Sequence, residues 1–210
     1  MTAARVFMAT AGALLAALAA FAPARAATIV DEWASVKTPP APELKPVTVD
    51  PKTTALLMLD FMNQNCGKRP RCVASIPEMK KLLGEARAAK AAVVYSIIAN
   101  TTTADVIKDV APTADEPSVR SGPDKFLNTD LDKILKDKGI KTVIVTGTAS
   151  NGAVLFTAAG AALRGMNVIV PVDGMSAADP YADLSTAWTF TNAPLISNKT
   201  TLTKIDLIKF

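Results

Sequence analysis

From Pro51 onward, short apolar runs alternate with stretches of helical period. "TALLMLD" (54–60) is almost continuously apolar and ends in an acid, as a strand buried on both faces reads. "AAVVYSII" (91–98), "KTVIVTG" (141–147), "NVIVPVDG" (167–174) and "TTLTKIDLI" (200–208) repeat that pattern. Between them, "IPEMKKLLGEARAAK" (76–90) spaces its apolar residues for a helix, with Pro77 in the first turn. "NTDLDKILKDKG" (128–139) reads as an amphipathic helix stopped by Gly139, and "NGAVLFTAAGAALRG" (151–165) as one ending at Gly165. "YADLSTAWTFTNA" (181–193) is a short helix, and residues 99–117 are loop-rich.

Strands alternating with helices imply an α/β fold: three layers, doubly wound, around a mostly parallel sheet of about six strands. In such sheets a ligand lies beyond the carboxyl ends of the strands, where strand order reverses. Asp60, the turn from Gly147 to Asn151, and Asp173 all fall at strand ends.

The segment before Pro51 is different. Residues 1–26 carry Arg5, an apolar run from Val6 to Ala22, and a closing "ARA". That is the pattern of a secretory signal peptide cleaved after Ala26, and it places the chain in the periplasm or outside the cell. Residues 27–50 contain "KTPPAPELKP" and form a Pro-rich, extended arm with Trp33 as a surface anchor. The α/β domain is then 51–210. Removing the signal takes away two arginines and no acid, so the formal charge falls from +4 to +2. No basic stripe with interleaved aromatics follows, so nucleic acid is not an expected partner. No later run approaches a membrane span, so no membrane association is expected after cleavage.

Two counts narrow the chemistry. Histidine is absent, which excludes Ser-His-Asp and Cys-His catalysis, histidine-built metal sites and histidine pH switches. No metal and no cofactor are expected. Cys66 and Cys72 are the two cysteines, and in an oxidising compartment a short-loop disulfide is the default.

Asp60, at the end of an apolar strand, suits general acid–base work, and a cation facing it would complete a pair. Arg120 and Lys125, in "SVRSGPDKFLNTDL", are the two candidates. They differ: a buried Lys can shed a proton, whereas Arg stays charged and forks onto carboxylates. In "GTASNGAV", Thr148, Ala149, Asn151 and Gly152 form a small-residue turn opening a helix. Its unpaired amides can cradle an anion or act as an oxyanion hole. The basic "GKRPR" loop after Asp60 is either an anion-attracting overhang or a solvated tip closed by Cys66 and Cys72.

Over roughly residues 52–175, the order and spacing of these pieces resemble the isochorismatase-like hydrolases, also called cysteine hydrolases. The resemblance rests on the strand ending in Asp60, on "KFLNTDLDKILKDKGIKTVIVTGTASN" and on "TAAGAALRGMNVIVPVDG". It implies an Asp, Lys and Cys at work together. The Asp falls on Asp60. The Cys falls two residues after Asn151, on Ala153. The Lys position, about six before Phe126, holds Arg120, with Lys125 directly before Phe126; either can be the cation. The family's D-x-Q reads Asp60–Phe61–Met62, without the Gln. The resemblance also implies a cis peptide at Thr148–Ala149, which would aim the Ala149 and Ala153 amides at one oxyanion. Family members are often oligomeric, which allows a homo-oligomer.

Without a thiol at Ala153, a thioester amidase or nicotinamidase route is not the expected mechanism. Two expectations stand. One is a cysteine-independent hydrolase of a small anionic molecule, using Asp60 and a nearby cation. The other is an inactive family member kept as a small-molecule binding or assembly subunit.

Overall fold

The computed structural model describes residues 26–210; residues 1–25, with almost all of the expected signal segment, lie outside the described residues. Two units divide the chain after Thr38. In the first, one helical turn, α1 (Ile29–Glu32), starts where Asp31 accepts the Thr28 amide at 2.9 Å, and Trp33 is exposed.

In the second unit, seven strands form one sheet: β2 (Thr54–Leu59), β3 (Ala92–Ile97), β4 (Ser118–Arg120), β5 (Thr142–Thr148), β6 (Asn167–Pro171), β7 (Met175–Ser176) and β8 (Thr200–Thr203). The order is β4-β3-β2-β5-β6-β8, with β7 beside the end of β5, and every pairing is parallel. Winding runs outward in both directions from β2 and β5. The crevice beyond their carboxyl ends is therefore the switch point.

The central strands are buried along their length, and successive side chains go to opposite faces of the sheet. Ala55, Leu57 and Leu59 join α3 (Leu131–Asp137), α4 (Leu155–Leu163) and α5 (Pro180–Asn192) in one core; Leu56 and Met58 join α2 (Pro70–Ala88) in the other. Gly147 lets β2 and β5 close together. Its φ is +136°, and a Cβ there would lie 2.1 Å from the Leu59 carbonyl oxygen.

The helix expected from residue 76 begins at Pro70, so Pro77 lies in its interior rather than its first turn. The reason is Cys72: counted as apolar, it extends the buried stripe to Cys72, Ile76, Met79, Leu83 and Ala86. The last expected strand is two. Asp173 accepts the Ile205 amide at 2.9 Å and turns the chain, so β8 stays in the main sheet while β9 (Ile208–Lys209) pairs with β1 (Val47–Thr48). The end of the Pro-rich arm thus belongs to a two-stranded sheet, and Asp173 is a brace for that turn. No described helix is long and apolar enough to cross a membrane.

Candidate active site

β2 ends at Leu59, and Asp60 breaks out of it with φ of +58°. Asp tolerates this left-handed conformation better than most residues. The backbone stays tied to the sheet through the Asp60 amide and the Ser96 carbonyl, 3.3 Å. The carboxylate is buried, 5% exposed, and both oxygens are engaged. Ser96, the one serine in the largely apolar β3, donates to Oδ1 at 2.6 Å. Lys125 donates from Nζ to Oδ2 at 2.7 Å.

Lys125 is itself only 1% exposed. Residues 121–129 fold around Thr157 of α4 to bring it there. The Lys125 amide donates to Thr157 Oγ1 at 3.2 Å, and that hydroxyl donates to the Pro123 carbonyl at 3.3 Å. Asp124 accepts the Phe126 amide at 2.9 Å, and Thr129 donates to the Lys125 carbonyl at 2.5 Å. The Phe126 ring is capped by the Arg164 guanidinium, 4.3 Å from its centroid, and packs on Gly160.

Arg120 makes no ion pair with Asp60. It closes β4, and its Nη2 donates to the Thr101 carbonyl at 2.5 Å. The sheet fixes Arg120 at an edge-strand end, while the following turn carries Lys125 back toward β2. The acid–cation pair is therefore Asp60 with Lys125.

The turn after β5 supplies the opposite wall. The Thr148–Ala149 peptide is cis. Ser150–Val154 forms a π-helical turn, with the Val154 amide reaching the Ala149 carbonyl at 3.2 Å and the Gly152 amide reaching the same oxygen at 3.0 Å. Thr148, Ala149, Gly152 and Ala153 border one cavity of about 540 Å³ together with Asp60 and Lys125. Asn151 is exposed and borders none of it, and the Gly152 amide is committed to Ala149. Within the expected anion cradle, these two contributions therefore fall away. Ala153, at the position the family resemblance gives to a thiol, presents a methyl group.

Two further residues hold this site, one without local signal in the sequence and one marked only by its basic loop. Asn65 Nδ2 lies 3.4 Å from the Thr148 carbonyl and 3.5 Å from the Asp60 carbonyl, bridging the ends of β2 and β5. Arg69, in the "GKRPR" loop, donates to Thr148 Oγ1 at 3.0 Å, and that hydroxyl donates to the Ser176 carbonyl at 3.0 Å. Arg69 does not border the cavity; its guanidinium holds the turn instead. Cys66 and Cys72 are joined by a disulfide that encloses it.

Fold and site together define a doubly wound α/β protein. At its switch point a buried acid–cation pair faces a turn of small residues. The isochorismatase domain model matches residues 54–199, and the chain belongs to the isochorismatase family. A secreted isochorismatase effector of Verticillium dahliae is 27% identical over 148 residues, 64% of this chain and 78% of that protein. A nicotinamidase of Acinetobacter baylyi is 37% identical over 65 residues, 31% of this chain and 30% of the other. Among solved structures, an isochorismatase-like hydrolase from Alkaliphilus metalliredigens matches with a TM-score of 0.65 at 25% identity, covering 73% of this chain and 95% of that one. The N-carbamoylsarcosine amidase of Thermoplasma acidophilum shares the fold, with a TM-score of 0.64 at 24% identity over 73% of this chain and 97% of that one.

Proposed function

We propose that this chain is an exported hydrolase of a small anionic molecule that works without a cysteine nucleophile. The observation that carries the reading is the Asp60–Lys125 pair, buried yet bordering a cavity beside Ala153. A thioester route has no sulfur to use: the chain has two cysteines, and they are bonded to each other. Water is then the nucleophile. In the vinyl-ether type of hydrolysis, the proton shared by the Asp60–Lys125 pair passes through the Asp60 carboxyl to the substrate carbon, and water adds to the resulting oxocarbenium ion. Water's proton returns to the carboxylate as the adduct collapses to a ketone and an alcohol. Ser96 and Lys125 fix the carboxyl orientation, and the Ala149 and Ala153 amides are the candidate donors to a developing or resident negative charge.

Export rests on the apolar N-terminal segment and its "ARA" ending, and it accords with a secreted relative and with paired cysteines. Expression of the full chain with sequencing of the mature N-terminus tests it, with Ala27 the expected first residue.

The test of the chemistry is Asp60→Asn, assayed over vinyl ethers, esters and amides of small acids. Turnover is expected to vanish; turnover at the wild-type rate would overturn the mechanism. Ala153 favours one second reading, a fold that keeps its cavity for binding alone. A ligand-induced rise in melting temperature with no product from any compound of that panel would select it.

A further inference from the structure

The geometry points to Arg120 as the group that selects the substrate: a monoanion with an apolar body, whose carboxylate docks on this guanidinium. The inference rests on the reading of the cavity as a substrate site, and it adds the substrate's charge and polarity. Inside the cavity the Asp60 and Lys125 charges cancel. Arg120 also borders it, and among the described residues it has no carboxylate partner within 4.0 Å. One uncompensated positive charge therefore remains on the cavity border. Much of the remaining wall is Ile98, Ala99, Pro123, Ala149 and Ala153, which offers apolar contact to a ligand body.

Arg120 is also held ready. Its Nη2 donates to the Thr101 carbonyl at 2.5 Å, at the end of β4. A guanidinium has five N–H donors in a planar fork, so this single bond leaves a face for a bidentate carboxylate. Fixing the side chain before binding removes part of the ordering cost. Arg69, the other cation near the turn, is spent on Thr148 and does not border the cavity.

The test is direct binding by calorimetry, with no turnover needed, so it stands apart from the fate of the Asp60 mechanism. Benzoate, cyclohex-1-enecarboxylate and crotonate are each compared with their own neutral amide. The wild-type protein is expected to bind at least one of these carboxylates about tenfold or more tightly than its amide, the size of one charged hydrogen-bonded contact. Arg120→Met is expected to erase that preference, and Arg120→Lys to keep part of it. The assignment is overturned if no carboxylate in the panel binds more tightly than its amide. It is equally overturned if Arg120→Met keeps the wild-type preference.

Discussion

Lys125 Nζ and Asp60 Oδ2 lie 2.7 Å apart across 65 residues of sequence, and both side chains are almost fully withdrawn from water. Such a pair is costly to split, because the surviving partner is left as an uncompensated buried charge. Asp60→Asn and Lys125→Met are each expected to destabilise the fold by about 3–5 kcal/mol. The double variant should lose much less than the sum, since it buries no lone charge. A double-mutant cycle by urea denaturation measures the coupling. Strict additivity of the two losses would rule out the pair as an energetic unit.

Gly147 sits where β2 and β5 converge on the site. Gly147→Ala would place a methyl 2.1 Å from the Leu59 carbonyl and force a side chain into φ of +136°. Overlap and backbone strain together should cost about 3 kcal/mol or more. The strand ends must separate to relieve it, so ligand binding should fall along with the melting temperature. A variant as stable as the wild type would contradict the close approach.

The sequence pattern carried the central strands well, because β2, β3, β5 and β6 are buried on both faces and read as unbroken apolar runs. β4 was invisible: Ser118, Val119 and Arg120 hold one buried residue in three. The break between β8 and β9 depends on Asp173 reaching Ile205, a contact 32 residues long that no local pattern reports. The site divides in the same way. Asp60 and the Gly147–Ala153 turn were legible from strand ends and small residues. The choice between Arg120 and Lys125 depended on how residues 121–129 wrap around Thr157, which spacing alone does not encode. Ser96 left one trace, a hydroxyl inside an apolar strand. Asn65 left none and Arg69 only its place in a basic loop, because their partner Thr148 lies 83 and 79 residues downstream.

The Cys66–Cys72 disulfide encloses Arg69 and lies next to Asn65, and both residues hold Thr148. Opening it by Cys66→Ser with Cys72→Ser should cost about 2 kcal/mol from the entropy of the short loop. Loosening of the two hydrogen bonds should also weaken ligand binding at the turn. Arg69→Ala, with the disulfide intact, separates the effects: binding should weaken while the melting temperature falls less than in the double serine variant. Wild-type binding in both variants would show that the loop has no hold on the site.

Acid should unfold the protein in part through Glu116. Burial pushes its carboxyl up, but the Arg87 guanidinium at 2.8 and 2.7 Å and the Thr113 amide at 2.9 Å outweigh that and hold it below the ordinary range. A carboxyl lowered on folding contributes stability above its unfolded pKa, near 4, and loses it as pH falls through the folded value. Asp173 works in the opposite sense. Burial raises its carboxyl despite the Ile205 amide, so its charged form costs stability as pH rises. Below about pH 5 the melting temperature should therefore drop, and Glu116→Gln should flatten that acid limb while lowering stability at neutral pH. Melting curves from pH 7 down to about 3 measure both slopes. Parallel acid limbs for the variant and the wild type would remove Glu116 as a source of the dependence.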